Sequence, residues 1–351
     1  MSSSAQFEIP ENQNPADAIS SVKFAPHSNK LLVASWDKHV YLYEITSGIG
    51  TLINKFEHRA PVLDVCFGKD DDEAFSCGLD WDVRRIDLTT GAQNVLSTHS
   101  APANRLVYSN TLSLLISASW DSTLHFHSLS GDQIPASLAL PSKAFSLSLT
   151  PTKLVVAMAS RALHIYELSN LHLLISESSA TDSAINTIEA EPWQRRESSL
   201  KYMTRAVACM PNDAGYASSS IEGRVAVEWF DPSNDSQARK YAFKCHRQTV
   251  DGVDVVYPVN ALAFHPVHGT FASGGGDGIV AIWDAVAKRR IRQYHKFPAS
   301  VAALDFSTDG KFLAVACSPG FEDGKEDLGE GSVSVVIREL GEVEAKGKAA
   351  K

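Results

Sequence analysis

Four basic residues in the second half of the chain stand where side chains meet ligands more readily than a core. Arg224 follows the tight turn Ile221-Glu222-Gly223 and opens a strand that alternates through Val225, Val227 and Trp229. Lys244 and Arg247 come at the end of the next short strand, Tyr241–Cys245, and Arg205 opens the same unit after RRESSLKYMT. A solvated surface charge is the ordinary reading of any one of them. Four at neighbouring strand ends mean more, because Lys and Arg number 32 against 41 Asp and Glu, a net charge of -9. They point to a local positive site for an acidic or phosphorylated peptide. Arginine grips a carboxylate or phosphate with two parallel hydrogen bonds, while lysine acts as a point charge.

Other constellations lead nowhere catalytic. His125 and His127 share one strand face, a geometry metals use, but no third ligand lies nearby, so no metal is expected. GGGDG at 274–278 is rich in glycine, yet no helix follows it to supply an anion-binding N-terminus. GxSxG, HExxH and P-loop patterns are absent, so neither an enzyme nor a cofactor is expected. A hydrolase with a metal in a central channel is the rival from another class, and it needs inward acids and histidines from several units. Trp36 and Trp120 each precede a turn aspartate and Trp81 follows one. These aromatics either pad grooves or converge on one rim as a partner surface, where their large area and few rotamers suit a hot spot.

The positioning elements are repeats. Turn residues at Asp37, Asp80, Asp121, Ser160, Glu222 and Asp277 recur at about 40-residue intervals, stretched around the fifth unit. Each unit shows three strands of period two with polar turns, and several add a weaker fourth. Helical patterns are almost absent. One small sheet cannot bury its own faces, so neighbours must pack radially. The expected fold is all-β: a seven-bladed β-propeller in one domain over 1–340. Blades are expected near 21–56, 61–96, 102–139, 143–175, 205–246, 258–295 and 300–340. The N-terminal segment 6–9, with alternating Phe7 and Ile9, closes the ring as outer strand of the last blade. Residues 341–351 are expected to form a disordered tail and 319–330 an acidic loop.

Composition narrows the class further. Hydrophobic content of 44% and a charged fraction of 21% suit a soluble globular protein, and no apolar run reaches membrane-span length. Five cysteines at irregular spacing suggest reduced, packed thiols rather than a disulfide frame. The acidic balance argues against nucleic-acid binding as the main task.

Trp283-Asp284 ends a third strand, and Ser273, Asp277 and His246 suggest a buried hydrogen-bond set. With these residues the chain resembles the WD-repeat family, although the other units carry degenerate signatures. The segments RRESSLKYMTR (195–205), SSIEGRVAVEWFD (219–231), YAFKCHR (241–247) and YPVNALAFHPVHGTFASGGGDG (257–278) resemble the mitotic-checkpoint branch of that family. That branch partners the benzimidazole-sensitivity checkpoint kinases, and the messenger-RNA export propeller of the nuclear pore is its paralogue. The resemblance implies a non-catalytic, monomeric adaptor of the nucleus, found at kinetochores in mitosis and working in hetero-complexes. It implies that Arg205 and Arg247 hold the glutamates of a GLEBS motif, with Trp36 and Trp120 on the same face and Trp81 added by placement. Arg224 and Lys244 would hold the phosphothreonine of Met-Glu-Leu-Thr repeats from the kinetochore scaffold. The alternative is an export adaptor that binds a nucleoporin GLEBS segment.

Overall fold

In the computed structural model, which describes residues 6–130, 134–178, 185–320 and 331–347, seven antiparallel sheets stand around a channel. Each blade runs outward from an inner strand, its first three strands joined in chain order. The inner strands are Ile19–Phe24, Val62–Phe67, Ala103–Ser109, Ala144–Leu149, Thr204–Cys209, Val259–Phe264 and Val301–Phe306. They lie side by side in that order, and the seventh returns to the first. Side chains stitch each to the next. Asp64 accepts the Leu106 N–H at 2.9 Å, Ser146 the Val207 N–H at 3.0 Å, and Asp305 the Phe24 N–H at 2.8 Å. These bonds fix a parallel register, so every inner strand starts at the same end of the ring. The turn between the second and third strands of each blade folds back beside that start, as in the Trp36 N–H to Ala18 and Trp120 N–H to Pro102 bonds.

Burial follows from this stacking. Second strands such as Glu73–Gly78, Leu114–Ser119 and Phe312–Cys317 are buried at every position, because neighbouring blades cover both faces. Outer strands such as Gln93–Thr98 alternate towards solvent. One apolar cluster joins Ile19, Val22, Leu31 and Tyr43 of blade one to Phe312, Ala314, Val335 and Ile337 of blade seven. Ring closure is where the sequence placed it. Gln6–Glu8 pairs antiparallel with Ser334–Glu339, Phe7 opposite Ile337, and Ile9 behind it is 1% exposed.

Two expectations need correction. The fourth blade does not end near 175, because Leu168–Glu177 is a helix whose Leu168, Leu171 and Ile175 are buried. Its outer strand is Gln194–Glu197, and the connecting Asn186–Ile188 adds a parallel fifth strand to blade three, covering that edge. Residues 341–347 are not a loose tail. Glu344 is buried and ion-paired with Arg338 at 2.9 Å, and Thr270 donates to the Ala345 carbonyl at 2.6 Å. The remainder, 348–351, lies outside the described residues, as does 321–330 of the expected acidic loop. No helix among the described residues is long and apolar enough to cross a membrane.

Candidate functional site: the channel mouth and the rim of blade five

Every inner strand carries a bulge near its start. Register shifts fall between Ile19 and Ser21, Val62 and Asp64, Ala103 and Arg105, Ala144 and Ser146, Thr204 and Val207, Val259 and Ala261, and Val301 and Ala303. A bulge leaves an unpaired residue and re-aims its side chain. The skipped residues Ser20, Leu63, Asn104, Phe145, Arg205, Asn260 and Ala302 all line one cleft of about 1140 Å³ at the channel mouth. Arg205 is the charged member of that set. Its Nε and Nη2 donate to Asn260 Oδ1 at 3.2 and 2.8 Å, and Asn260 donates in turn to Ser300 Oγ at 3.1 Å. The next two blades thus hold the guanidinium in place.

Trp36 and Trp120 line the same cleft, 42% and 36% exposed. Trp81, 44% exposed in the matching turn of blade two, does not line it. Arg105, Lys143 and Met203 do, and the sequence reading passed over them. The signal was there to use: Arg105 and Lys143 lie beside the bulges of blades three and four, one and two residues from the column that Arg205 occupies.

The other three cations meet at one corner of blade five. Arg224 opens the third strand and Lys244 is its direct cross-strand partner. Gly223 before them has φ +65, and a Cβ there would sit 2.7 Å from the Cys245 carbonyl and 2.9 Å from that of His246. Only glycine lets the turn lie this close to the chain leading to Arg247. Arg247 Nη2 donates to the Glu222 carbonyl at 2.9 Å, and the Glu222 carboxylate is 3.7 Å from Arg224 Nε. Lys244 is exposed. The Nε atoms of Arg224 and Arg247 are shielded from solvent and make no hydrogen bond. One acid therefore stands against three cations.

Blade six behaves differently. His246 Nδ1 lies 2.9 Å from Asp277 Oδ1 and its Nε2 2.8 Å from Ser273 Oγ, which also accepts the Trp283 indole N–H at 2.8 Å. With the imidazole proton on Nδ1 and the serine donating to Nε2, the set is closed upon itself. Blade three repeats part of it through His99, Ser117 and Asp121. His125 Nδ1 lies 3.0 Å from Ser97 Oγ and its ring stacks on His99. Burial lowers the pKa values of His125 and His127 to about 3. Among the described residues no group of His, Cys, Asp and Glu is arranged to hold a metal ion. The cysteines are free and buried, and burial raises Cys209 and Cys317 to about 12.

The family pattern "WD domain, G-beta repeat" matches residues 9–44, 92–128 and 240–284, the last ending on Trp283-Asp284. Mitotic checkpoint protein BUB3.1 of Arabidopsis thaliana is 44% identical over 95% of this chain and 93% of its own. Spindle assembly checkpoint protein bub3 of Schizosaccharomyces pombe is 35% identical over 87% and 89%. The chain belongs to the mitotic-checkpoint family of WD-repeat propellers. The poly(A)+ RNA export protein of Schizosaccharomyces pombe is a more distant relative, 31% identical over 89% of this chain and 84% of its own. Membership of the checkpoint family supports a role in the spindle checkpoint, and a propeller with such relatives points to a scaffold rather than a catalyst.

Proposed function

We propose that the chain is a non-catalytic checkpoint adaptor whose channel mouth grips a GLEBS motif and whose blade-five corner reads phosphothreonine. Arg205, oriented by Asn260 and flanked by Trp36 and Trp120, takes one glutamate of the motif, and Arg247 takes another. Trp81 borders the peptide outside the cleft. Arg224 and Lys244 hold the phosphate of Met-Glu-Leu-Thr repeats, so that checkpoint kinases are brought to the kinetochore scaffold in mitosis. The observation that carries this reading is the convergence of four cations and two exposed tryptophans at one end of an acidic protein. A phosphothreonine brings about −1.5 to −2 charges to donors that lack partners. The export reading comes second, because the checkpoint relatives are the more similar.

Calorimetry separates the two halves of the proposal. Arg205→Glu should weaken a checkpoint-kinase GLEBS peptide by about a hundredfold or more through like-charge repulsion, with the melting temperature unchanged. Arg224→Ala or Lys244→Ala should cost the phosphopeptide about tenfold and leave the GLEBS peptide alone. Equal affinity of parent protein for phosphorylated and plain peptides would remove the phosphate reader. A nucleoporin GLEBS peptide that bound more tightly than the kinase peptide would favour the export adaptor.

A further inference from the structure

The outer strand of blade six, Arg289–Gln293, reads RRIRQ. The third strand beside it runs from Val280, near the Asp277 turn, to Asp284, and Arg289 pairs with Asp284. Arg289 therefore lies at the far end of the ring from the tryptophans. With Arg290, Ile291, Val343, Lys346 and Gly347 it lines a cleft of about 410 Å³. The wall opposite is the C-terminal segment that Glu344 and Ala345 pin to the ring.

Charge on an edge strand ordinarily prevents pairing with other chains. That explanation does not account for this one. Outer strands elsewhere carry little charge, as in QNVLST of blade two and ASLA of blade three. Blade four also has two arginines, but Glu191 pairs with Arg195 and Glu228 lies 3.5 Å from Arg196. In blade six Arg292 pairs with Glu344, and Arg290 donates to Gln293 at 2.6 Å. Arg289 and Lys346 have no side-chain partner among the described residues, and Arg289 Nε is shielded from solvent without a hydrogen bond. Arg84 has a bare Nε too, but Asp80 and Asp82 hold its Nη2 at 2.8 Å. The acid beside Arg289 in the strand register, Asp284, spends Oδ1 on the Val286 and Ala287 N–H groups of the turn, and its Oδ2 lies against Gly347 at the edge of the cleft.

We infer that this cleft is a second anion site, and that it takes a phosphorylated side chain within an extended peptide. Arg289 supplies a fork and Lys346 a point charge, which together suit one phosphoryl group. Ile291 and Val343 supply its aliphatic surface, and Val343 is 76% exposed. Aliphatic neighbours flank a phosphoresidue in a peptide, whereas a nucleic acid strand calls for aromatic stacking platforms, and no aromatic residue lines this cleft. The outer edge of Arg289–Gln293 pairs with no further strand among the described residues, leaving backbone groups for an extended ligand. The site stands apart from the blade-five corner and does not depend on the reading given to that corner.

The test uses the full chain carrying Arg224→Ala and Lys244→Ala, which removes the pair proposed to hold phosphate at the blade-five corner. Fluorescence anisotropy would follow a fluorescein-labelled peptide with phosphothreonine between two valines, its unphosphorylated twin, and a labelled oligouridylate. The phosphopeptide should bind about tenfold more tightly than the twin, and Arg289→Ala or Lys346→Ala should each lose about fivefold or more of that affinity at unchanged melting temperature. Arg289→Lys should keep part of it. Equal binding of the two peptides, indifference to both substitutions, or stronger Arg289-dependent binding of the oligouridylate would each overturn the assignment.

Discussion

Blades five and six are neighbours built on one plan, yet they treat the polar residues of their mouth-end turns in opposite ways. In blade six, Asp277, His246, Ser273 and Trp283 satisfy one another, and the set lies between packed sheets. In blade five, Glu222 takes the turn position, three cations crowd it, and two guanidinium Nε donors go without an acceptor. Residue type does not separate a fold-holding network from a binding surface here, since both contain charged groups near the same end of the ring. Saturation does. A closed set resists change because removing one member strands another in a dry place, whereas an open set stays available to a ligand.

Asp277→Ala is the severest way to break the contrast. It strands the buried His246 and should cost roughly 3 kcal/mol of stability, read as a lower urea midpoint, while peptide affinity per folded molecule holds. Arg224→Ala should stay within about 0.5 kcal/mol of the parent in the same measurement. Matching losses would erase the distinction between the two blades.

Acid sharpens it next. Burial, the largest influence on each, lowers His58 to about 4 and His125 and His127 to about 3, from an ordinary 6.5. The unfolded chain therefore takes up protons below pH 6.5 that the folded chain refuses. Stability from these groups is complete above that pH and declines as pH falls towards 3. Denaturant titrations should find the fold weaker at pH 5 than at pH 7.5 by about 2 kcal/mol for each histidine held neutral. A flat stability profile over that interval would mean that the histidines are not held neutral.

The smallest expected effect comes from Glu222→Gln. It removes a carboxylate 3.7 Å from Arg224 Nε at a partly solvated corner, where screening keeps ion pairs weak. The phosphopeptide should bind about two- to threefold more tightly, with the fold unaffected. Weaker binding would show that Glu222 orients the arginines more than it competes for them.

Much of the architecture could be read from the chain. Asp37, Asp80, Asp121 and Asp277 mark turns that the structure puts in corresponding places, and Phe7 and Ile9 announced the closing strand. The helix at Leu168–Glu177 was missed although Leu168, Leu171 and Ile175 keep helical spacing, because the repeat led to an outer strand there. Asn186–Ile188 could not be foreseen, since it pairs with Ala136–Ala139 of a different blade. The last residues looked loose because Glu344 is polar. Its partners Arg292 and Arg338 come near only once blades six and seven have formed. The site divided in the same way. Arg224 and Lys244 pair as their strand ends suggested, but Arg247 opens the separate strand Arg247–Val250 and reaches the corner through the Glu222 carbonyl; Trp36 and Trp120 share a cleft, and Trp81 stands outside it.

Period, turn chemistry and the tally of charge are properties of residues near one another along the chain, so the order of amino acids settles blade number and the inner strands almost alone. Which charges end up paired is a property of the closed ring. Asn260 reaches Arg205 across 55 positions, and Glu228 neutralises Arg196 while no acid among the described residues does the same for Arg289. Those distances exist only after seven sheets have packed, and they decide which cations hold the fold and which stay open to a ligand.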